Sequence, residues 1–439
     1  MAGVSVLVLL TLALPREQRA AGPDVRELLV SARGVAPAIC ALAADGVSAG
    51  GWGSGWSAPI TPISTDLRAR LRSLHKQPLS PVEGQALVAG LGAADACERH
   101  LAATLLGRSE AKSLAGPVGE RLASAAAPEK AAALVALGMM EAASQAEPVG
   151  RALHDAAPEV RANAAWALGR IGVRSSAPAV EAALRDREAV VRGAAAVALG
   201  RLENKSSVEA LLRVLRSDES AEVRRVAAWA LGELGDRSAA EVLGAALQKD
   251  AAPEVREMAA WALAELSARD AADALAAALR ADQSPDVRET AAWALGEMEA
   301  RKAEPALSAA LADREAEVRA TAAWALGQLE LDHAPKALVD AIKDASDEVR
   351  LRAAWALSQI GDAQAVPAVT AALRTETHDK VRHAEIRMLL RSGNPPADVL
   401  KDLMESKDAK TRELAVRALA GRNAPWPWPW PQPRPRPAP

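Results

Sequence analysis

The sequence predicts an all-α protein of the solenoid class, an array of about eleven helix pairs. Two observations predict it. The phrase Val-Arg-x-x-Ala-Ala-Trp-Ala-Leu recurs at a spacing of 31 or 32 residues, with clear copies at 160–168, 223–231, 255–263, 287–295, 318–326 and 349–357; a seventh, at 191–199, has Val197 in place of tryptophan. Self-similarity at this period means that each unit buries its apolar face only against its neighbours. The chain also has no Phe and no Tyr, so its core must be Leu, Ala and Val, and small alanines let helices approach closely.

Residues 4–14 form an uncharged apolar run of signal-peptide length, too short to span a membrane comfortably. They predict a signal peptide or membrane anchor over 1–21, with cleavage near Ala20 or Ala21, and an exported protein, periplasmic or extracellular. An apolar helix docked on the first repeat is the alternative, because no Lys or Arg precedes the run and no Ala-x-Ala site follows. Residues 22–81 are expected to cap the array. They hold the loop Gly50-Gly51-Trp52-Gly53-Ser54-Gly55-Trp56, whose tryptophans either plug the first repeats or contact a ligand, and a basic helix at 65–76. The two cysteines are Cys40 and Cys97. In an exported protein they would form one disulfide; two buried thiols are the alternative.

The arginine of the phrase indexes the array. Arg161, Arg192, Arg224, Arg256, Arg288, Arg319, Arg350 and Arg382 form a regular series, which Arg99 and Lys130 extend upstream and Arg412 downstream. The repeats are therefore expected to cover 82–422, with degraded outer copies because terminal units face water. Each period holds two helical segments, as at 176–186 and 188–202. In the second, Val160, Ala164, Ala167 and Leu168 make a buried stripe. An acid stands five positions before the indexed valine (Asp155, Asp186, Asp218, Asp250, Asp282, Asp313, Asp344, Glu376), in the turn where a carboxylate satisfies free backbone amides. Pro158, Pro253 and Pro285 fall in the first helical turn, where a missing N–H costs least. Gly169 and its equivalents are expected to end or loosen the second helix.

The pattern Asp-x4-Val-Arg-x2-Ala-Ala-x-Ala-Leu-Gly resembles the HEAT-like repeats of the phycobilisome lyase type, over roughly three quarters of the chain. The resemblance implies a right-handed superhelix with the second helices lining its concave side. It also implies an Asp/Arg ladder between units, here Asp250, Arg256, Asp282, Arg288, Asp313 and Arg319. It implies nothing about chemistry: no residue singles out the bilin handling of those lyases.

The tryptophans supply the functional expectation. With Val160 at zero and about 100° per residue, the buried stripe lies between about −20° and 80°, whereas Trp166 lies near 240°, on the same face as Ala162 or Asn163 and Arg170. Trp166, Trp229, Trp261, Trp293, Trp324 and Trp355 are thus expected to project along the concave groove, flanked by Glu233, Glu265 and Glu297, with Glu257 and Glu289 nearby. The competing expectation is that each indole covers alanine-rich helix surface. An aromatic ladder flanked by carboxylates suits a protein or extended peptide, basic or amphipathic. Toward the amino terminus Arg170 and Arg201 replace the glutamates, so such a ligand would be oriented.

No catalytic pattern is present and no cofactor is expected. His75, His100, His154, His333, His378 and His383 are scattered, and the spacing of His378 and His383 does not put both on one helical face for a metal. A net charge of −3 with 25% charged residues argues against nucleic acid. The tail 423–439 alternates Pro with Trp426, Trp428 and Trp430 and then Arg, which favours polyproline II; it reads as a stiff disordered tail, with contact to a membrane interface as the alternative. The leading expectation is a noncatalytic scaffold that binds a protein or peptide on its concave surface. Two others stand beside it: the soluble sensor part of a membrane signalling system, on a loose resemblance to regions accompanying BlaR1-like peptidase regulators, and a lyase-like accessory subunit acting on a chromophore or modified protein.

Overall fold

The computed structural model describes residues 25–33, 79–108, 112–391, 397–406 and 408–419. Every regular element among them is a helix, and eleven second helices follow one another, each holding one index position. The fold is an all-α solenoid. The chain packs as two compact units that adjoin in sequence at Val149 and Gly150. No described helix is long and apolar enough to cross a membrane.

In the first unit the short helix Val25–Ser31 buries Val25 and Leu29 and packs on the helices Pro81–Gly90 and Ala96–Arg108. Arg33 closes that contact with two hydrogen bonds to Glu98, at 2.7 and 3.1 Å. Pro81–Gly90 opens on a capping box: the Ser80 hydroxyl accepts the Glu83 N–H while the Glu83 carboxylate accepts the Ser80 N–H.

The second unit holds the regular copies. Its second helices run Pro158–Ile171, Ala189–Arg201, Ala221–Leu234, Pro253–Glu265, Pro285–Glu297, Ala316–Gln328, Asp347–Ile360, Asp379–Arg391 and Ala409–Leu419. Each of these from Ala189–Arg201 to Asp347–Ile360 packs against the second helices before and after it as well as against its own first helix. The index valines from Val160 to Val381 and the phrase leucines from Leu168 to Leu389 are fully buried.

The index arginine joins consecutive repeats. In the repeat of Pro253–Glu265, Arg256 Nη1 donates to the carbonyls of Asp250 and Ala251, in the turn before its own helix, at 2.9 and 3.2 Å. Its Nε and Nη2 donate to the Asp282 carboxylate of the next repeat at 2.7 and 2.8 Å. Asp282 Oδ1 also accepts the Ser284 N–H at 2.9 Å, which fixes the turn that the next arginine grips. The same arrangement joins Arg161 to Asp186, Arg192 to Asp218, Arg224 to Asp250, Arg288 to Asp313, Arg319 to Asp344 and Arg350 to Glu376. In the last repeat Ser406 stands in the acid's position; Asp408 caps Ala409–Leu419 through the Thr411 N–H and meets His383 at 3.1 Å.

The helices do not end where the sequence suggests. Gly169, Gly200, Gly232, Gly296 and Gly327 lie inside their helices. The chain leaves each helix three residues later, through a left-handed residue: Gly172, Gly235 and Gly361 at φ 74°, 64° and 72°, and Glu203, Ser267, Glu299 and Glu330 at φ 47° to 50°. The glycines expected to stop the helix serve close approach between repeats, described below.

Burial by itself would raise the Asp282 carboxyl. The hydrogen bonds from Arg256, then that from the Ser284 N–H, then the charges of Arg256 and Arg288 outweigh it and hold its pKa below the usual range. A carboxyl lowered in the folded state stabilises fully above its unfolded value, about 3.9, and that stabilisation disappears as pH falls through the lowered value. Denaturant midpoints are therefore expected to drop steeply below about pH 4. Asp282→Ala leaves Arg256 without its carboxylate and should cost about 2 kcal/mol at pH 7. Asp282→Glu should cost much less, since Glu376 serves in the same role.

Candidate functional site on the second-helix face

One face of the second helices of the second unit is only partly covered by other helices. Positions spaced by three or four residues share it: Glu222, Arg225, Trp229 and Glu233 in one repeat, Glu254, Glu257, Trp261 and Glu265 in the next, Asp286, Glu289, Trp293 and Glu297 in the third. The copies lie in register. Arg201 feels the charges of Arg170 and Glu233, its counterparts in the repeats on either side, and Thr321 Oγ1 lies 3.4 Å from Glu289 Oε1 of the repeat before it.

The tryptophans lie on this face but do not project from it. Trp229, Trp261, Trp324 and Trp355 are 7%, 1%, 5% and 9% exposed, and Trp166 and Trp293 are half-buried. Each of the four buried rings lies down over the glycine of the preceding repeat. A Cβ built on Gly200, Gly232, Gly296 or Gly327 would meet the next tryptophan's Cζ3 at 2.9, 2.8, 2.7 or 2.6 Å. It would also meet the Cα of the alanine after that tryptophan at 3.1, 3.2, 2.9 or 2.9 Å. Backbone approaches backbone there, and only a residue without a side chain permits it. Trp293 follows a repeat in which Ala264 stands at the glycine position, and it remains half-exposed. The expectation of an aromatic ladder standing out into a groove is thus corrected in favour of the packing alternative. The ring is flat against the stack, with its edge in the floor of the face. Trp261 Nε1 is buried and finds no acceptor among the described residues, which costs about 1–3 kcal/mol and marks the site as one set by packing.

The charges remain on either side of the rings. Glu233 and Glu297 are exposed and Glu265 half-exposed, one turn beyond their tryptophans. A second acidic row, Glu222, Glu254 and Asp286, is exposed two turns before them. The sequence reading missed this row because it precedes the recurrent phrase; continuing the helical wheel backward from Trp229 by seven residues would have found it. Glu222 is engaged by Arg225 at 2.7 and 2.9 Å, which holds its carboxyl below the usual range. Over these three repeats the face carries eight carboxylates and one guanidinium.

The other sequence candidates lie apart. Asp250, Arg256, Asp282, Arg288, Asp313 and Arg319 are all in the inter-repeat ladder. His378 meets Asp347 and His383 meets Asp408, each at 3.1 Å, so the two imidazoles engage different neighbours. Among the described residues no group of three or more His, Cys, Asp and Glu side chains is placed to hold a metal. Cys97 is buried. Cys40, the apolar run 4–14, Trp52, Trp56, the basic helix at 65–76 and the Trp/Pro tail lie outside the described residues.

The HEAT-repeat family matches the chain in overlapping stretches, 115–200, 146–226, 208–284, 272–347 and 335–420. The chain belongs to this family. The match is to HEAT repeats in general, and no relative of the phycobilisome lyase type accompanies it. No curated protein matches the sequence. Among solved structures, a chain of a Kap95:Nup1 complex is 16% identical with a TM-score of 0.53, covering 77% of this chain and 57% of that one. An engineered protein is 22% identical with a TM-score of 0.43, covering 77% and 98%. A structure describing Kap95p binding to RanGDP is 15% identical with a TM-score of 0.49, covering 82% and 64%. This HEAT-repeat chain therefore spans less than two thirds of both Kap95 structures' matched chains, and the likeness is one of fold.

Glu385 is the one group among the described residues held far from its ordinary ionisation in the upward direction. It stands where other repeats carry Ala227, Ala259 and Ala353, is fully buried, and its Oε2 has no hydrogen-bond partner among the described residues. Burial, then the charge of Glu376, push its pKa up to about 8 against the opposing charges of Arg350 and Arg382. Between about 4.3 and that value the folded state holds a proton that the unfolded state has released, so this group's contribution to stability falls as pH rises through the window.

Two substitutions test these packing assignments. Gly327→Ala should destabilise the protein by about 1–3 kcal/mol, because Trp355 and the Ala356 backbone must both move; chemical denaturation followed by tryptophan emission reads it. Glu385→Ala should stabilise the protein by about 2–4 kcal/mol at pH 9 and flatten the slope between pH 5 and 9. A variant melting with its parent at pH 9 would show that the carboxylate reaches water.

Proposed function

We propose that this protein is a noncatalytic scaffold whose second-helix face binds a protein segment rich in cations. One observation carries the reading: in three consecutive repeats, two acidic rows run on either side of a line of tryptophans, buried at Trp229 and Trp261 and half-buried at Trp293. The rows supply a negative potential that draws a cationic segment in, and the half-exposed Trp293 offers it an aromatic contact. The same charge repels nucleic acid. The solved neighbour of similar fold is described as a complex of two proteins, which is consistent with a binding surface of this kind. The apolar run 4–14 supports an exported location for the scaffold.

The test uses a fluorescein-labelled, amidated peptide with lysine at every third position. It should bind at low salt and weaken with added salt, because exposed charges are screened. The triple variant Glu233→Gln, Glu265→Gln, Glu297→Gln should weaken it by about tenfold or more. Gln328 and Gln359 hold the corresponding positions in two other repeats, so the variant keeps the fold. Undiminished affinity in the triple variant would end this reading of the face.

A further inference from the structure

The face changes character in one repeat. At positions 190, 193 and 197 of Ala189–Arg201 the groups are smaller and uncharged compared with those of the next two repeats. Val190 stands where six other repeats of this unit carry an acid (Glu159, Glu222, Glu254, Asp286, Glu317 and Glu348), and Val197 replaces tryptophan. Gly193 stands between them, where Arg225 and Glu257 stand in the next two repeats. Val190 is 58% exposed. A Cβ on Gly193 would find only Val223 Cγ2, at 4.0 Å, so the space over it is empty. The result is an apolar notch in an otherwise charged face.

Arg201 ends the same helix, about two turns beyond Gly193, and Arg170 is its counterpart in the repeat before. Arg201 Nη1 is covered by protein and has no acceptor among the described residues. Burial first, then the charge of Arg170, make its cation costlier to hold, with only Glu233 opposing. A further carboxylate arriving at the face, where Arg201 is partly exposed, would offset the cost of holding its cation.

We propose that this notch and the two arginines seat one end of the bound segment: an apolar side chain enters over Gly193, a carboxylate next to it meets Arg201 and Arg170, and cations follow along the acidic rows. The inference rests on the protein-binding reading of the face and adds polarity to it. The spacing follows from geometry. Adjacent packed helices lie about 8–10 Å apart, and an extended chain rises about 3.3 Å per residue, so about three residues advance the segment by one repeat. The segment therefore carries an acid and an apolar residue, then a cation about every third residue, opposite Glu233, Glu265 and Glu297.

The experiment measures fluorescence anisotropy of two amidated peptides, Glu-Leu-Ser-Lys-Ser-Ser-Lys-Ser-Ser-Lys and its twin with Gln for Glu, each made in both chain directions. The intact protein should bind one direction of the Glu peptide about tenfold more tightly than its twin. Arg201→Gln and, separately, Val190→Glu should reduce that preference for the Glu peptide over its twin below about twofold. Val190→Glu is safe for folding, because six other repeats carry an acid at this position. Equal binding of both peptides by the intact protein, or a preference that survives both substitutions, would overturn the seat and leave the cation-binding face standing. Binding of neither peptide up to about 1 mM would overturn both.

Discussion

The contact on which the stack depends is the one between each index arginine and the carboxylate of the following repeat. A solenoid has no global core: every unit is held by its neighbours, so an error in the offset between two repeats is corrected nowhere else. The arginine removes that freedom because its planar fork is fixed at both ends. Nη1 is anchored to two carbonyls of its own turn while Nε and Nη2 hold the neighbouring carboxylate. The carboxylate is fixed in turn by an N–H of the turn the next arginine grips. Position therefore passes from repeat to repeat without slack, through seven consecutive links.

That fixed offset brings the second helices very close, and the rest of the recurrent phrase follows. With backbone almost touching backbone, the facing positions must be Ala and Gly, and a large side chain fits only by lying along the seam. The tryptophan does this: its ring caps the glycine of the repeat before it and fills the wedge that small residues leave. Flattening the rings has a consequence for function. They become a smooth, rigid floor, and the residues one and two turns away on the same helices, which the stack leaves partly exposed, become its walls.

Much of this was legible in the sequence, and the parts that were not share one physical cause. The period, the register of eleven index positions and the turn acids could be read directly, because each depends on a residue's own helix or turn. The helical wheel sets the tryptophans apart from the stripe of Val160, Ala164, Ala167 and Leu168. It does not give their orientation, because it assigns each helix one partner, whereas a second helix in the middle of this unit meets three. In Ala221–Leu234 every residue from Val226 to Gly232 is buried, which no single apolar stripe would show. The glycines were misread for the same reason: a glycine near a helix end looks like a stop signal until the neighbouring helix is in place. Glu385 is invisible to pattern reading, since a lone acid among degraded terminal copies resembles an ordinary surface residue.

Because the chain repeats, it provides its own control for what the stack requires. Val, Arg, Ala and Leu recur at fixed positions and are buried or bonded between units, so packing accounts for them. The position after the close-approach residue behaves differently. It reads Arg170, Arg201, Glu233, Glu265, Glu297, Gln328 and Gln359 in successive repeats of one architecture. A site that accepts a cation, an anion and a neutral amide within the same local fold is not determined by that fold. The order of the three classes is nonetheless blocked, with like residues adjacent, and blocks of like charge on neighbouring helices repel one another and so weaken the stack slightly. Packing would favour alternation. The arrangement is understandable if something lies along the face whose own charges run in the opposite order, and the helix that carries the notch at Val190 and Gly193 ends at Arg201, the last basic residue before the acidic block.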